Sequence, residues 1–336
     1  MGKLISNAST KRTAVVTGAN KGIGFEVCRQ LASHGITVIL TARDEGKGTE
    51  AVEKLKNSGV SDVLFHQLDV ADPSSVSSLA NFIKTEFGRI DILVIKDEEI
   101  LCDTPTLLLR GLVCRNVNNA GIGGLLTDDQ TLNSFLKDQT VTSFLKEQEN
   151  GYDRLMEFWV EAQESYEKVV GCLNINYYGM KRVTEALIPL LQLSQLPTVV
   201  NVSSRLGRLN VIPSESIREA LGVVDEKTEV RLDEVIQSYL YDLKEGKLKE
   251  NGWPTCSATY KLSKVAVTTY TRMLAMKYPS MRINCVSPGV VKTDMNYDIG
   301  TLTAEEGAKG PVMLALLPDG SPSGLFYDQT EVSSFE

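Results

Sequence analysis

The sequence predicts an α/β fold: one domain built on a doubly wound parallel sheet with helices on both faces. Three observations carry this. Short apolar runs alternate with helical stretches over the first 95 residues. The runs are nearly continuous rather than alternating, as strands buried on both faces require. A glycine-rich turn joins the first such run to the first helical stretch.

Taken in order, Thr13 to Thr17 is a short β-branched run, and Gly24 to Ser33 carries Phe25, Val27, Cys28 and Leu31 at helical spacing. Ile36 to Thr41 is a second strand, and Ala51 to Lys56 is helix-like. Val63 to Val70 is a third strand; Asp72, Pro73 and Ser74 then open a helix from Ser75 to Phe87. Ile90 to Val94 closes the series. Two later runs, Pro197 to Val202 and Arg282 to Val286, read as strands of the same kind, with helices at Lys181 to Leu191 and Lys261 to Met276. This alternation is the signature of βαβ units.

Composition narrows the function. The chain has 336 residues, 42% hydrophobic and 23% charged, enough to build a sizeable core. Its net charge is −8, which argues against a basic face for nucleic acid or anionic lipid. No apolar stretch reaches the ~20 residues of a membrane span, and Met1 to Arg12 contains no signal-peptide core. The six cysteines are scattered without a Cys-x-x-Cys pair, and a reduced, cytosolic compartment is expected. Only two histidines, His34 and His66, are present, which leaves little room for a His-rich zinc site or a Ser-His-Asp triad; no metal is expected.

Three stretches do not fit the minimal alternation: residues 95–117, 122–170 and 205–258. We read them as insertions into one domain with a core of about residues 9–330, because no Pro-, Gly- or Ser-rich linker separates them. Within the second, Thr131 to Gln139 and Thr140 to Gln148 are identical at six of nine positions, which we read as a local duplication.

Thr17-Gly18-Ala19-Asn20-Lys21-Gly22-Ile23-Gly24 lies between a strand and a helix, where a dinucleotide-binding turn must sit. Gly18 permits the tight turn, and Gly22 and Gly24 remove Cβ atoms where pyrophosphate and helix approach. The helix N-terminus offers N–H groups to phosphate. The second strand ends at Arg43, not at an acidic residue. A guanidinium there suits a ribose 2′-phosphate, and Lys21 adds a second cation, so NADP(H) is preferred over NAD(H).

Tyr260 and Lys264 are the reactive candidates. A Tyr-x-x-x-Lys pair alone says little: 11 Tyr and 21 Lys in this chain give about 0.7 such pairs by chance, and Tyr177 with Lys181 is a second one. Tyr260, however, precedes an apolar helix and lies downstream of a strand ending Asn201-Val202-Ser203-Ser204. At i and i+4, Tyr and Lys share one helix face. An ammonium ~5 Å from a phenol is worth ~3 kcal/mol at an effective dielectric of ~20, which brings a phenol from ~10 toward ~8. Such a phenol can exchange a proton near neutral pH.

In this order the glycine turn, Asp69, Asn118-Asn119-Ala120-Gly121, Asn176, Ser204, Tyr260, Lys264 and Ser287-Pro288-Gly289 resemble the short-chain dehydrogenase/reductase superfamily, with its Rossmann-type sheet. Within it the chain is most similar to the larger, mostly monomeric carbonyl reductases of the plant salutaridine reductase and menthone reductase type. The segments NGWP, VKTDMNYDIG and PSGLFYD are among those that carry this closer likeness. The resemblance implies reduction of a small-molecule ketone or aldehyde by NADPH, by a monomer with no nucleic-acid or membrane partner.

It further implies that Tyr260 is the general acid, that Lys264 holds the nicotinamide ribose, that Ser204 rather than Ser203 meets the substrate oxygen, and that Asn176 anchors a relay water. Asp69 and Val70 would lie at the adenine, and Asn119, Ala120 and Gly121 beside the cofactor. Thr17, Gly18, Asn20, Lys21, Gly22, Ile23, Gly24 and Arg43 would cradle the nucleotide phosphates, and Pro288, Gly289, Val291 and Thr293 would close over the nicotinamide or pyrophosphate. Residues 122–170 would be a lid, with Phe158 and Trp159 as apolar contacts, and residues 205–258 would cover the helix face that compact members use to dimerise.

One departure matters. In the family the fourth strand runs directly into Asn-Asn-Ala-Gly, but here 23 residues, Ile95 to Val117, intervene. Ile90 to Ile95 and Gly111 to Val117 compete for one strand position, and the short Gly88-Arg89 turn favours the first. We read the segment as an interruption of the motif, of the kind a retained intron or a faulty gene prediction would leave. We expect it to weaken cofactor binding. The alternative it raises is a homologue that binds cofactor but is catalytically impaired.

Overall fold

The computed structural model describes residues 11–96, 166–255, 257–293 and 300–336. Strands β1 (Thr13–Val16), β2 (Thr37–Ala42), β3 (Val63–Gln67) and β4 (Ile92–Ile95) alternate with helices α1 (Gly22–Ser33), α2 (Glu45–Asn57) and α3 (Pro73–Glu86). Asp44 caps α2 by accepting from Lys47 N, and Asp72 caps α3 by accepting from Ser74 N with Pro73 in the first turn. Each cap satisfies an end N–H that would otherwise need water, worth ~1 kcal/mol. Ile90–Ile95 therefore supplies the fourth strand as expected, and Ile95 is its last residue; Gly111 to Val117 lies outside the described residues.

The chain is described again from α4 (Tyr166–Leu173), which runs through a π turn (Asn174–Gly179) into α5 (Met180–Leu191). Then come β5 (Thr198–Val202), two 3₁₀ turns (Arg205–Gly207 and Leu209–Val211), α6 (Glu215–Gly222), α7 (Thr228–Lys244) and α8 (Ala258–Lys277). Strand β6 (Arg282–Ser287), α9 (Ala304–Ala315) and the short β7 (Phe326–Asp328) and β8 (Glu331–Ser333) finish the fold.

The sheet order is β3-β2-β1-β4-β5-β6-β7-β8, parallel throughout except for β8. Successive residues of a strand go to opposite faces, so the core has two halves. Val15, Leu93 and Val199 pack with α3, α5 and α8, while Ala14, Val16, Ile92 and Val94 pack with α1, α2 and α9. The order reverses between β1 and β4, and in such sheets ligands bind in the crevice outside the carboxyl ends of the strands at that point.

Residues 205–255 pack largely on α8. Thr269 Oγ1 donates to Leu221 O (3.0 Å), Arg272 donates to Gly222 O (3.0 Å), and the Tyr239 and Thr259 hydroxyls are 2.8 Å apart. Trp253 is buried, with its indole N–H on Asp242 (2.7 Å). Among the described residues no helix is long and apolar enough to cross a membrane.

Candidate active site

The glycine turn leaves β1 as its pattern requires. Gly18 and Gly22 adopt φ of +56° and +57°, where a side chain is strained. A Cβ on Gly24 would lie 2.6 Å from Gly18 O, so α1 could not approach β1 so closely with any other residue there. Thr17 is fully buried; its hydroxyl donates to Lys96 O (2.7 Å) and accepts from Lys96 N (3.0 Å), tying the turn to the end of β4. Asn20 is half-buried, Ile23 buried and Lys21 exposed. Helix α1 has no side-chain cap at Lys21, unlike α2, α3 and α9.

Arg43 is exposed just past β2, and its carbonyl accepts from Gln67 (3.2 Å). Asp69 follows β3; its carboxylate accepts from Ala71 N (2.9 Å) and its own N–H donates to Ser75 Oγ (2.9 Å). Val70 is buried, and a Cβ on Gly179 of the π turn would sit 2.8 Å from its methyl. Pro288 and Gly289 follow β6, with Gly289 at φ +83°. Val291 bridges Leu302, and the Thr293 methyl comes within 3.8 Å of where a Gly22 Cβ would stand. The loop after β6 thus lies against the glycine turn. Asn118, Asn119, Ala120, Gly121, Phe158, Trp159 and the duplicated segment lie outside the described residues, as does everything in the 95–117 segment beyond Lys96.

Tyr260 is in the first turn of α8, half-buried, and the Lys264 ammonium is 5.5 Å from its ring centre. Lys264 is only 3% exposed and donates to Val202 O at the end of β5 (3.2 Å). An ammonium buried this deeply is tolerable only because it is hydrogen-bonded. Ser203 and Ser204, adjacent in sequence, part company here. The buried Ser203 hydroxyl is 3.0 Å from Thr268 Oγ1 and donates to Lys264 O (3.3 Å), whereas Ser204 is half-buried and accepts from Leu206 N (3.1 Å). Gly207 closes the 3₁₀ turn onto α8 so tightly that a Cβ would stand 2.4 Å from Ser203 Oγ and 2.8 Å from Lys264 O.

Asn176 is buried in the π turn and donates to Ser263 Oγ (3.1 Å), which in turn donates to Tyr260 O (2.8 Å). Its side-chain N–H thus ties the π turn to the start of α8. The second Tyr-x-x-x-Lys pair is taken up by packing: Tyr177 is fully buried, where desolvation raises its pKa well above the usual value, and Lys181 pairs with Glu229 at 2.6 Å. His34 is exposed, and His66 lies against Phe82 with ring centres 4.8 Å apart. Among the described residues no cluster of His, Cys, Asp or Glu could hold a metal. Gly207, Ser263 and Thr268, which shape the site, were not legible in the sequence; they carry no motif and matter only because α8 docks on the end of β5.

Residues 12–97 match the family described as short chain dehydrogenase, and residues 248–313 match the one described as Enoyl-(Acyl carrier protein) reductase. Over 338 aligned residues the chain is 49% identical to Short-chain dehydrogenase/reductase 1 of Saponaria officinalis, covering all of both chains. The protein belongs to the short-chain dehydrogenase/reductase family. It is likewise 49% identical to salutaridine reductase of Papaver somniferum, over 98% of each chain. The solved structure of that reductase matches with a TM-score of 0.75 at 46% identity, covering 94% of this chain and 99% of the other.

As a short-chain dehydrogenase/reductase, the protein is an oxidoreductase that works between carbonyl and alcohol groups with a nicotinamide cofactor. The residues present fit that cofactor. The left-handed Gly18 and Gly22, the close approach at Gly24 and the N-terminus of α1 without a side-chain cap form a cradle that any Cβ would fill.

Proposed function

We propose that this enzyme reduces a ketone or aldehyde to an alcohol with NADPH, with Tyr260 as proton donor. The observation that carries the reading is the pairing of the half-buried Tyr260 ring with the buried Lys264 ammonium, 5.5 Å away, which is fastened to Val202 O at the carboxyl end of β5, two residues before Ser204. The cofactor, when bound, supplies the hydride. Thr17, Gly18, Asn20, Lys21, Gly22, Ile23 and Gly24 hold its phosphates, Arg43 and Lys21 select the 2′-phosphate, and Asp69 and Val70 border the adenine. Pro288, Gly289, Val291 and Thr293 complete the cleft.

The Tyr260 hydroxyl gives its proton to the carbonyl oxygen as negative charge develops there. Lys264 keeps the phenol acidic enough to do so by its charge, and also meets the ribose. Ser204 donates a hydrogen bond to the same oxygen, stabilising that charge. Asn176 holds the first turn of α8, and with it Tyr260, in register through Ser263. The relatives named salutaridine reductase and neomenthol dehydrogenase favour a bulky cyclic ketone as substrate class. The enzyme works as a monomer in the cytosol, with α6 and α7 occupying the surface of α8.

Purified protein mixed with NADPH and a panel of cyclic ketones and dicarbonyls tests this. We expect NADPH consumption that Tyr260→Phe abolishes and that NADH supports poorly. Consumption undiminished in Tyr260→Phe overturns the reading.

A further inference from the structure

The loop that carries Ser204 is held from outside the motif. Immediately after Ser204, Arg205 Nε donates to both carboxylate oxygens of Asp328 (3.0 and 2.8 Å). Arg208 reaches the same carboxylate (3.4 Å) and donates to Ser333 Oγ (2.9 Å). One residue on, Leu209 N donates to Phe335 O (2.6 Å), and the Phe335 ring is covered by the Arg272 guanidinium of α8 at 3.5 Å. Four ties thus run from residues 205–209 to residues 328–335 at the C-terminal corner.

The same corner holds the other wall of the cleft. Asp328 is in register with Ser287, the last residue of β6. Gln329, left-handed at φ +58° although it is not glycine, donates its N–H to Ser287 O (2.7 Å). A Cβ on Gly289 would lie 3.4 Å from its side chain. The two-residue hairpin turn between Asp328 and Glu331 calls for a positive φ at Gln329. The β7–β8 turn is therefore a bracket between the Ser204 loop and the Pro288–Gly289 loop.

We propose that Asp328 is a positioning residue for Ser204: it fixes the 204–209 segment so that the Ser204 hydroxyl meets the substrate oxygen. This rests on the reading of Ser204 given above. Arg205 is more than half exposed and Asp328 about a fifth exposed, so the pair adds little to global stability and its loss leaves a folded enzyme. What it supplies is orientation, and misplacing a donor by a fraction of an ångström to an ångström can cost ~10- to 100-fold in rate.

The test is a kinetic cycle of wild type, Asp328→Asn, Ser204→Ala and the double variant, using NADPH and a cyclic ketone that the wild type turns over, with thermal unfolding of each. We expect Asp328→Asn to lower kcat about tenfold, to leave the KM for NADPH and the unfolding temperature nearly unchanged, and to be partly rescued in Asp328→Glu. In the Ser204→Ala background the same change should have no further effect, because the hydroxyl it positions is gone. Full additivity of the two losses overturns the proposal while leaving Ser204 its role, as does a wild-type kcat in Asp328→Asn. A wild-type kcat in Ser204→Ala overturns the reading of Ser204 itself and the positioning role with it.

Discussion

Lys264 holds its ammonium 5.5 Å from the Tyr260 ring while donating to Val202 O at 3.2 Å. One lysine therefore fastens the end of β5 to α8 and places a charge beside the phenol. Removing the charge and removing the hydroxyl should separate. Tyr260→Phe should lose about 10²- to 10⁴-fold in kcat with little change in NADPH affinity, the range for loss of a positioned proton donor. Lys264→Met should lower kcat and weaken NADPH binding together, read by steady-state kinetics and by fluorescence titration of the nucleotide.

Two glycines set the cleft for different reasons, and alanine at each should fail differently. At Gly24 the new Cβ meets backbone of Gly18 and Ala19 at 2.6 and 2.8 Å, so the turn must open. The expected result is lost NADPH binding. At Gly207 the new Cβ meets Ser203 Oγ and Lys264 O, so α8 must shift at a cost of about 1–3 kcal/mol. Gly207→Ala should bind NADPH but turn over slowly, with a lower unfolding temperature.

Arg43 tests cofactor choice. A charge-assisted hydrogen bond is worth about 1.5–3 kcal/mol, so Arg43→Ala should raise the KM for NADPH about 10- to 100-fold and leave the KM for NADH nearly unchanged. Equal effects on both would argue against a 2′-phosphate contact.

The second Tyr-x-x-x-Lys pair should be dispensable for chemistry. The Tyr177 hydroxyl is buried with no hydrogen-bond partner among the described residues, so Tyr177→Phe should keep activity and stability, or gain stability. Burial raises Tyr177 and Tyr270, and burial with the nearby Asp233 pushes Tyr178 up to about 12. These hydroxyls keep their protons in the folded state while the unfolded chain ionises near its ordinary value of ~10. Their stabilising contribution is therefore complete below about pH 10 and declines as pH rises from there toward 12 and beyond. Denaturant unfolding across that range should show a decline that Tyr178→Phe makes shallower.

The sequence by itself determined the first six strands of the sheet, the glycine turn after β1 and the placing of Tyr260 and Lys264 on one helix face. Each rests on a local rule: buried strands read as apolar runs, a tight approach to phosphate needs glycine, and i,i+4 side chains share a helix face. Helix ends were less legible. Helix α2 runs from Glu45, well before its apolar positions begin, because Asp44 caps it. The π turn at Asn174–Gly179 and the short strands β7 and β8 carry no comparable period, whereas α9 is missed although Thr303 and Glu306 form a capping box at its start.

Position and resemblance already favour Ser204 over Ser203 and Tyr260 over Tyr177; only the tertiary structure shows that Ser203 and Tyr177 are buried in packing and that the C-terminal corner grips the Ser204 loop. Those arrangements depend on how α8 and the β7–β8 turn dock on the ends of β5 and β6, across sequence separations of 61 to 123 residues that no local pattern encodes.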